Sequence, residues 1–138
     1  PYQLPVKSVP TPYQAAREVA RVYQMLLNGG EIDGRRYLSK ETCQLFTTSV
    51  SKISRRGLGF DKPDREDSKK GNCAPDAPAE VYGHTGFTGT CAWVDPVNEL
   101  VYVFLSNRIY PDVTNRKLNQ LHIRERIQGA IYDAMKKK

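Results

Sequence analysis

Near the start of the chain, apolar residues recur at helical spacing. Thr11 is placed to cap a helix with Pro12 at its first position, and Gln14 completes a capping box. The apolar face of this helix contains Ala16, Val19, Ala20, Tyr23, Leu26 and Leu27. The glycines at 29 and 30 predict its end.

A second, shorter helix is predicted after a polar turn at 33–34. Ser39 is its candidate N-cap. The helix should extend over Glu41–Phe46, with Leu45 and Phe46 pointing inward.

Strand-type patterns dominate the middle of the chain. A short strand is predicted at Leu58–Phe60, and residues 61–80, with three prolines and no periodicity, predict a long exposed loop. Val81–Val94 is rich in β-branched and aromatic residues, and turn residues at 95–98 separate it from a second strand at Leu100–Ser106. Because so short a connection joins only antiparallel neighbours, these two segments predict an antiparallel hairpin.

The second of these strands, Leu100–Ser106, is apolar on both faces. This pattern is typical of a strand in the middle of a sheet that is covered on both sides. A last helix over His122–Met135 would pack on that sheet through an apolar stripe of Ile123, Ile127, Ala130, Ile131 and Ala134. These elements predict an α+β fold, with an antiparallel sheet of about three strands, in one domain over residues 1–138.

Composition and charge argue against two kinds of partner. Hydrophobic residues make up 39% of the chain, yet no apolar run reaches the roughly 20 residues that span a bilayer, so we expect no membrane span. The net charge is +6, and residues 107–138 hold eight Lys or Arg against three Asp or Glu. Positive and negative side chains alternate at 124–126 on the last helix, and the three final lysines are placed where cations stabilise the C-terminal end of a helix dipole. Both features explain the positive charge without a nucleic-acid partner, so we expect none.

The three cysteines are Cys43, Cys73 and Cys91. They have neither the C-x-x-C spacing of a zinc or redox site nor an even count for a disulfide framework. A set of Cys73, His84 and Cys91 fits no zinc pattern, so buried thiols are the better interpretation. We therefore expect no metal and no cofactor.

The strongest chemical signal is Gly-His-Thr-Gly-Phe-Thr-Gly-Thr at 83–90, which places three glycines inside a predicted strand. Glycine there lets another group approach the backbone closely. A strand edge with a hydrogen-bonding side chain, a hydroxyl and a glycine can bind an anionic group and direct a backbone N–H at a developing oxyanion. The alternative is a glycine bulge in a twisted hairpin, with His84 as an ordinary strand residue.

The sequence His-Thr-Gly at 84–86 resembles the third motif, K-T-G or H-T-G, of the superfamily of penicillin-binding proteins, class C β-lactamases and related esterases. The first helix, the stretch Gly57–Asp61, the hairpin and the last helix are similar to consecutive pieces of that family's C-terminal region. The resemblance covers about 11–134. It implies that the chain is the C-terminal portion of a β-lactamase-like serine hydrolase.

The resemblance assigns roles to five residues. Thr85 would hydrogen-bond a carboxylate or carbonyl of the substrate, and the backbone N–H of Phe87 would supply half of the oxyanion hole. His84 would stand where many members have Lys, giving hydrogen bonding and, when protonated, positive charge. Gly86 would permit close approach of the substrate to the backbone, and Gly86 and Thr88 are the predicted substrate-binding residues. The implied substrate is a β-lactam, an ester or a peptidoglycan-like peptide, and the implied location is periplasmic or secreted.

The resemblance also implies that the nucleophile lies outside this chain. In the family the serine belongs to an S-x-x-K motif near the start of a buried helix, followed by a Tyr or Ser motif that ends in Asn. The single S-x-x-K here, Ser49–Lys52, stands in a polar context only 35 residues before His84 and has no Y-x-N after it. So short a pattern recurs by accident, and we interpret it as a chance match.

Two other functions remain open at this point. The first is a noncatalytic module of the same fold, which would use the groove beside His84 to hold a ligand. Labelling of Ser49 by a serine-directed acylating probe would argue against it, because it would show that the chain is an enzyme in itself. The Gly-x-x-Gly copies at 83–86 and 86–89 also match a phosphate-clamping loop of RNA-binding modules. That loop lies between two helices, whereas both copies here lie in strand-type sequence.

In the family, a strand from the N-terminal part of the protein flanks the strand that Leu100–Ser106 resembles, and that neighbour is absent here. An unpaired apolar edge favours pairing with another chain, here beside Val101, Val103 and Leu105. We therefore expect a homo-oligomer, formed either by edge-to-edge pairing of Leu100–Ser106 across a two-fold axis or by exchange of an element between protomers. The internal alternative is Tyr2–Val9, which can offer only a short, proline-interrupted strand.

Overall fold

The structure, a computed structural model, describes residues 11–65 and 71–137. The elements in chain order are α1 (Pro12–Leu27), β1 (Glu31–Ile32), β2 (Arg35–Arg36), α2 (Lys40–Thr47), β3 (Tyr82–Thr85), β4 (Cys91–Asp95), β5 (Leu100–Phe104), α3 (Lys117–Gln120) and α4 (Ile123–Met135). Helices and antiparallel sheets occur together, so the fold is α+β, as predicted.

Both predicted helix caps are confirmed. Thr11 Oγ1 accepts a hydrogen bond from the Gln14 N–H at 3.3 Å, and the Thr11 N–H donates to Gln14 Oε1 at 2.8 Å, which completes the capping box of α1. At the start of α2, Ser39 Oγ accepts from the Thr42 N–H at 3.1 Å. Between the helices, both residues of the turn at 33–34 have positive φ, and this turn joins β1 to β2.

Three antiparallel strands form the main sheet in the order β3-β4-β5. The prediction of one strand over Val81–Val94 is wrong, because the chain reverses at 86–90 and divides this segment between β3 and β4. The Gly86 N–H donates to Thr90 O at 2.8 Å, and the Gly89 N–H donates to Gly86 O at 2.9 Å. Gly89 has a φ of 96°, which glycine adopts readily, so two of the three motif glycines serve a turn.

Both faces of this sheet are covered, as the apolar pattern of Leu100–Ser106 predicted. One face packs on α1 and α2 through Leu26, Cys43, Tyr82 and Val94. The other face packs on the segment before β3 and on α4 through Cys73, Ala74, Ala77, Val81, Cys91, Trp93, Tyr102 and Tyr132. Within the described ranges β5 pairs with β4 alone, so its other edge is unpaired there, as expected from the absence of the family's neighbouring strand.

The segment 61–80 has no helix or strand in its described part, and the prediction of an exposed loop holds for only some of the residues described there. Asp61 and Cys73 are buried, because this segment covers an apolar face of the sheet. The predicted strand Leu58–Phe60 is not formed, and single bridges occur instead on either side of it, of which one joins Asp61 to Gly83.

The inward face of α2 differs from the prediction. Leu45 and Phe46 are 49% and 44% exposed, whereas Cys43 is buried. Cys43 belongs to the same cluster as Leu26 of α1 and Tyr82 of β3, because α2 meets the sheet through the side that carries this thiol.

Helix α4 also turns a different face to the core. Ile127 of the predicted stripe is 40% exposed, and Gln128 and Tyr132 are buried instead. Gln128 Oε1 accepts a hydrogen bond from the Ala74 N–H at 2.8 Å, and Tyr132 Oη donates to Asp95 Oδ2 at 2.8 Å. Because these partners satisfy the buried polar atoms, polar side chains occupy core positions of the helix.

Candidate active site

The motif at 83–86 begins on β3, one of the two edge strands of the sheet. His84 is exposed, and Thr85 is half-buried. Because side chains alternate along a strand, Thr85 points to the same side as Val81, toward α4, and His84 points to the side of Tyr82, toward α1. The strand thus presents an imidazole to one side and a hydroxyl to the other, and their catalytic roles remain predictions.

The backbone groups of β3 alternate between β4 and the outer edge of the sheet. The Gly83 N–H donates outward to Asp61 O at 3.0 Å, and Gly83 O accepts from the Asp61 N–H at 2.8 Å. In an antiparallel strand the backbone N–H and C=O groups of every second residue face the same side, so the backbone groups of Thr85 also face outward. Among the residues that the structure describes, the edge is therefore closed at Gly83 and open from Thr85 onward.

The turn at 86–90 presents Phe87 just beyond the open part of this edge. Its N–H donates no hydrogen bond to any residue in the described ranges, and the residue is 70% exposed. An amide with no partner among these residues can donate to an acceptor outside the chain, which is the property that an oxyanion hole requires.

Contacts with the segment that follows β5 hold this turn in place. Thr88 O accepts hydrogen bonds from the Arg108 N–H at 2.9 Å and from the Ser106 hydroxyl at 3.3 Å. The Arg108 guanidinium lies 4.8 Å from the centroid of the Phe87 ring, a cation–π contact. A Cβ at Gly89 would come within 2.6 Å of Ser106 Oγ, so the two segments are in close contact. Sequence reasoning gave Ser106 and Arg108 no role, because only tertiary contact connects them with the turn.

A buried network fixes the segment that closes the edge. The Asp61 carboxylate, whose side chain is 6% exposed, lies 3.0 Å from Arg55 Nε and accepts from Arg55 Nη2 at 3.1 Å. It also accepts from Asn72 Nδ2 at 3.3 Å, and Asn72 Nδ2 donates to Lys62 O at 2.9 Å. These contacts anchor Asp61 where its backbone pairs with Gly83, and sequence reasoning missed all of them.

Ser49 of the S-x-x-K match does not lie on a helix. It follows the end of α2, forms a single bridge with Gly57 and donates its hydroxyl hydrogen to Ser54 O at 3.2 Å. Lys52 is exposed. Only a helix brings residues three apart onto one face, so the geometry supports the interpretation as a chance match.

The cysteines of this chain are free, buried thiols, as predicted. Burial raises the pKa of Cys73 to about 12 and the pKa of Cys91 to about 11. Such thiols stay protonated near neutral pH and are poor nucleophiles. Within 11–65 and 71–137, no group of three His, Cys, Asp or Glu side chains is arranged to hold a metal ion.

Comparison with known proteins defines the class of this chain. The family model described as Beta-lactamase matches residues 5–125. The chain therefore belongs to the β-lactamase family, within the superfamily of penicillin-binding-protein-like serine hydrolases, as the resemblance implied.

Individual relatives are similar to the chain over a part of their length. A "Putative D-alanyl-D-alanine carboxypeptidase" of Escherichia coli strain K12 is 33% identical over 102 residues, which are 74% of this chain and 23% of that protein. A protein of Salmonella typhi with the same description is 32% identical over 107 residues, 78% of this chain and 24% of its own length. A crystal structure of a penicillin-binding protein homologue from Caulobacter crescentus gives a TM-score of 0.49 and 26% identity over 64% of this chain and 24% of that one. The chain spans about a quarter of the length of these relatives.

Proposed function

We propose that this chain forms one wall of the active site of a serine hydrolase, which transfers an acyl group from a β-lactam, an ester or a peptide to water. The open edge of β3 carries the proposal, because the backbone groups of Thr85 face outward there and the Phe87 N–H, two residues further on, has no partner within the described ranges. An extended substrate can pair with such an edge as an added strand. The serine nucleophile belongs, in this proposal, to a part of the protein outside this chain.

Each motif residue has a distinct task in this mechanism. The Thr85 hydroxyl, which has no hydrogen-bond partner in the described parts of the chain, binds a carboxylate or carbonyl of the substrate. The Phe87 N–H stabilises the oxyanion that forms when the serine attacks the carbonyl carbon. His84 donates a hydrogen bond at the rim, while Gly86 and Thr88 shape the approach to the edge.

The names of the relatives suggest a substrate class and a location. They point to peptides that end in D-alanyl-D-alanine as the first substrates to test. Because peptides of this kind belong to the cell envelope, we place the protein in the periplasm or outside the cell. Among the described residues, no helix has both the length and the apolar character needed to cross a membrane.

Kinetics of the complete protein test the assigned roles. His84→Ala and Thr85→Ala should each lower kcat/KM on ester or peptide substrates by roughly 10- to 100-fold, the usual cost of losing one group that binds the transition state. Thr48→Ala is the matched control, since Thr48 is exposed at the end of α2. Unchanged kinetics in both motif variants would leave these residues with a structural role only.

Binding to the chain by itself tests the open edge. In an amide NMR titration, an N-acetylated D-alanyl-D-alanine peptide should shift the signals of Thr85 and Phe87 more than those of β5. Shifts confined to other regions would contradict the proposal. Covalent labelling of Ser49 by a serine-directed acylating probe would show instead that the chain carries its own nucleophile.

A further inference from the structure

Arg108, in the segment that follows β5, contacts the turn at 86–89 through both its backbone and its side chain. Its N–H donates to Thr88 O at 2.9 Å, and its guanidinium lies 4.8 Å from the centroid of the Phe87 ring. The same guanidinium donates from Nη1 to Asn115 O at 3.2 Å. One half-buried side chain therefore connects the ring of Phe87 with a carbonyl of another segment.

The turn's own hydrogen bonds fix its shape but not its orientation on the sheet. The hydrogen bond between the two glycines at 86 and 89 makes Phe87 and Thr88 the central residues of a four-residue turn. Neither glycine has a side chain that could pack against the sheet. The orientation of the Phe87 N–H therefore depends on contacts from outside the turn. Ser106 and Arg108 both reach Thr88 O, and Arg108 also reaches the Phe87 ring.

The far end of this connection is a turn that is held by its own hydrogen bonds. Asp112 Oδ1 accepts from the Thr114 N–H at 2.8 Å and from the Thr114 hydroxyl at 2.7 Å, and the Asn115 N–H donates to Asp112 O at 3.1 Å. Asn115 Oδ1 accepts from the Lys117 N–H at 3.1 Å, at the start of α3. The Asn115 carbonyl is therefore a fixed acceptor for the Arg108 guanidinium.

We propose that Arg108 is a positioning residue for the oxyanion donor. Its guanidinium, anchored on Asn115 O, holds the Phe87 ring and thereby directs the Phe87 N–H at the reacting carbonyl. A guanidinium suits this role because its planar face stacks on an aromatic ring while its N–H groups donate in the plane. The inference rests on the proposed function, because it deepens the role that the Phe87 N–H has there.

The contribution of Arg108 should appear in kcat. The oxyanion forms only as the carbonyl is attacked, so a misdirected donor weakens binding of the transition state and leaves ground-state binding of the substrate intact. In the complete protein, Arg108→Gln should therefore lower kcat on ester or peptide substrates roughly tenfold, with KM within about twofold of the wild-type value.

NMR relaxation of this chain tests the positioning itself. In the wild type, the Phe87 and Thr88 amides should have order parameters of about 0.85, the value of a rigid backbone. Arg108→Gln should lower both values to about 0.6 or below. A loss of global stability alone would leave these order parameters unchanged, so this measurement separates positioning from a purely structural role.

Phe87→Leu removes the aromatic ring and keeps the backbone N–H, so it should reproduce the lower kcat and the loosened turn. Because Phe87 is exposed, this change spares the fold and tests the inference even if Arg108→Gln does not fold. Arg35→Gln is the matched control, because the Arg35 guanidinium lies 5.0 Å from the centroid of the Tyr37 ring, an equivalent contact beside the other sheet. It should leave kcat and the Phe87 order parameter unchanged.

Two outcomes distinguish this inference from the proposed function. If Arg108→Gln and Phe87→Leu change neither kcat nor the order parameters while Thr85→Ala lowers kcat/KM, the proposed function stands and Arg108 is not a positioning residue. If both variants loosen the turn while kcat keeps its wild-type value, the Phe87 N–H is not the oxyanion donor. That part of the proposed function is then wrong, and the inference falls with it.

Discussion

The two edges of the three-stranded sheet are built differently. The β3 edge is polar, is closed by Asp61 at Gly83 and ends in a glycine turn, so within the described ranges only a short stretch at Thr85 and Phe87 is left unpaired. The β5 edge is apolar and has no partner within the described ranges. A short unpaired stretch limits which ligands can pair with the strand, whereas a strand edge that is unpaired along its whole length is a template for pairing with another chain.

Strand alternation shows which groups the β5 edge offers. The backbone N–H and C=O groups of Gly83 face outward from β3, so on β4 the backbone groups of Ala92 face β3. The backbone groups of the next residue, Trp93, then face Tyr102 of β5. The N–H and C=O groups of Val101 and Val103 therefore face away from the sheet. These are the residues next to which the sequence predicted an open edge.

The largest effect on stability should come from adding a side chain at Gly83, where β3 packs closely against β4. A Cβ at Gly83 would lie 2.1 Å from Ala92 O and 2.7 Å from Trp93 Cε3. Because both strands would have to move apart, Gly83→Ala should lower the free energy of unfolding by about 3 kcal/mol. Gly129→Ala in α4, where the nearest atom is 4.0 Å from the added Cβ, should be neutral or stabilise by up to ~1 kcal/mol. Urea unfolding measures both, and equal values for the two variants would contradict the close contact.

Removal of the Asp61 carboxylate should have the next largest effect. Asp61→Ala leaves Arg55 and Asn72 without their buried acceptor and should cost about 2 kcal/mol of stability. It should also weaken peptide binding at the edge, because the closing segment loses its anchor. Asp76, which pairs with Lys136 on the surface, is the matched control, and Asp76→Ala should leave the unfolding midpoint unchanged. A wild-type midpoint for Asp61→Ala would mean that the network does not hold the edge.

The β5 edge should mediate the self-association that the sequence predicted. A two-fold axis at Val103 would pair two copies of β5 antiparallel. Val103→Pro removes an N–H that faces outward, so it should spare the β4–β5 pairing while lowering the association constant roughly tenfold. Sedimentation at several concentrations measures this, and a wild-type chain that stays monomeric at high micromolar concentration would contradict it. Tyr2–Val9, the alternative cover for this edge, lies outside the described residues.

The smallest effect is on the pH dependence of stability and concerns Cys91 in the central strand. Cys91 lies opposite Thr85 of β3 on one side and opposite Phe104 of β5 on the other. Burial raises the pKa of this thiol from 9.0 to about 11. The folded state therefore keeps a proton that the unfolded chain loses, so this contribution to stability is full below about pH 9 and is lost as the pH rises toward 11. Cys91→Ala should reduce the loss of stability between pH 9 and 10 by up to ~1 kcal/mol. Parallel stability curves for the variant and the wild type would show that this thiol does not titrate on unfolding.

About half of the candidate site could be predicted from the sequence. His84, Thr85, Gly86 and Phe87 were found because they are contiguous and match a family motif. Asp61 and Asn72 were missed because their contribution depends on hydrogen bonds between distant segments, which leave no local pattern in the chain.

The sequence by itself determined what depends on near neighbours: both helix caps, the turn at 33–34, the family motif and the apolar character of β5. Backbone capping and turn geometry are satisfied within a few residues, so local composition is enough to predict them. Only the tertiary structure decided which side of each helix is buried, where 81–94 divides into two strands, and which edge groups stay unpaired. Those outcomes depend on what packs against each surface, as Gln128 shows: its buried amide is stable only because Ala74, from another segment, supplies its partner.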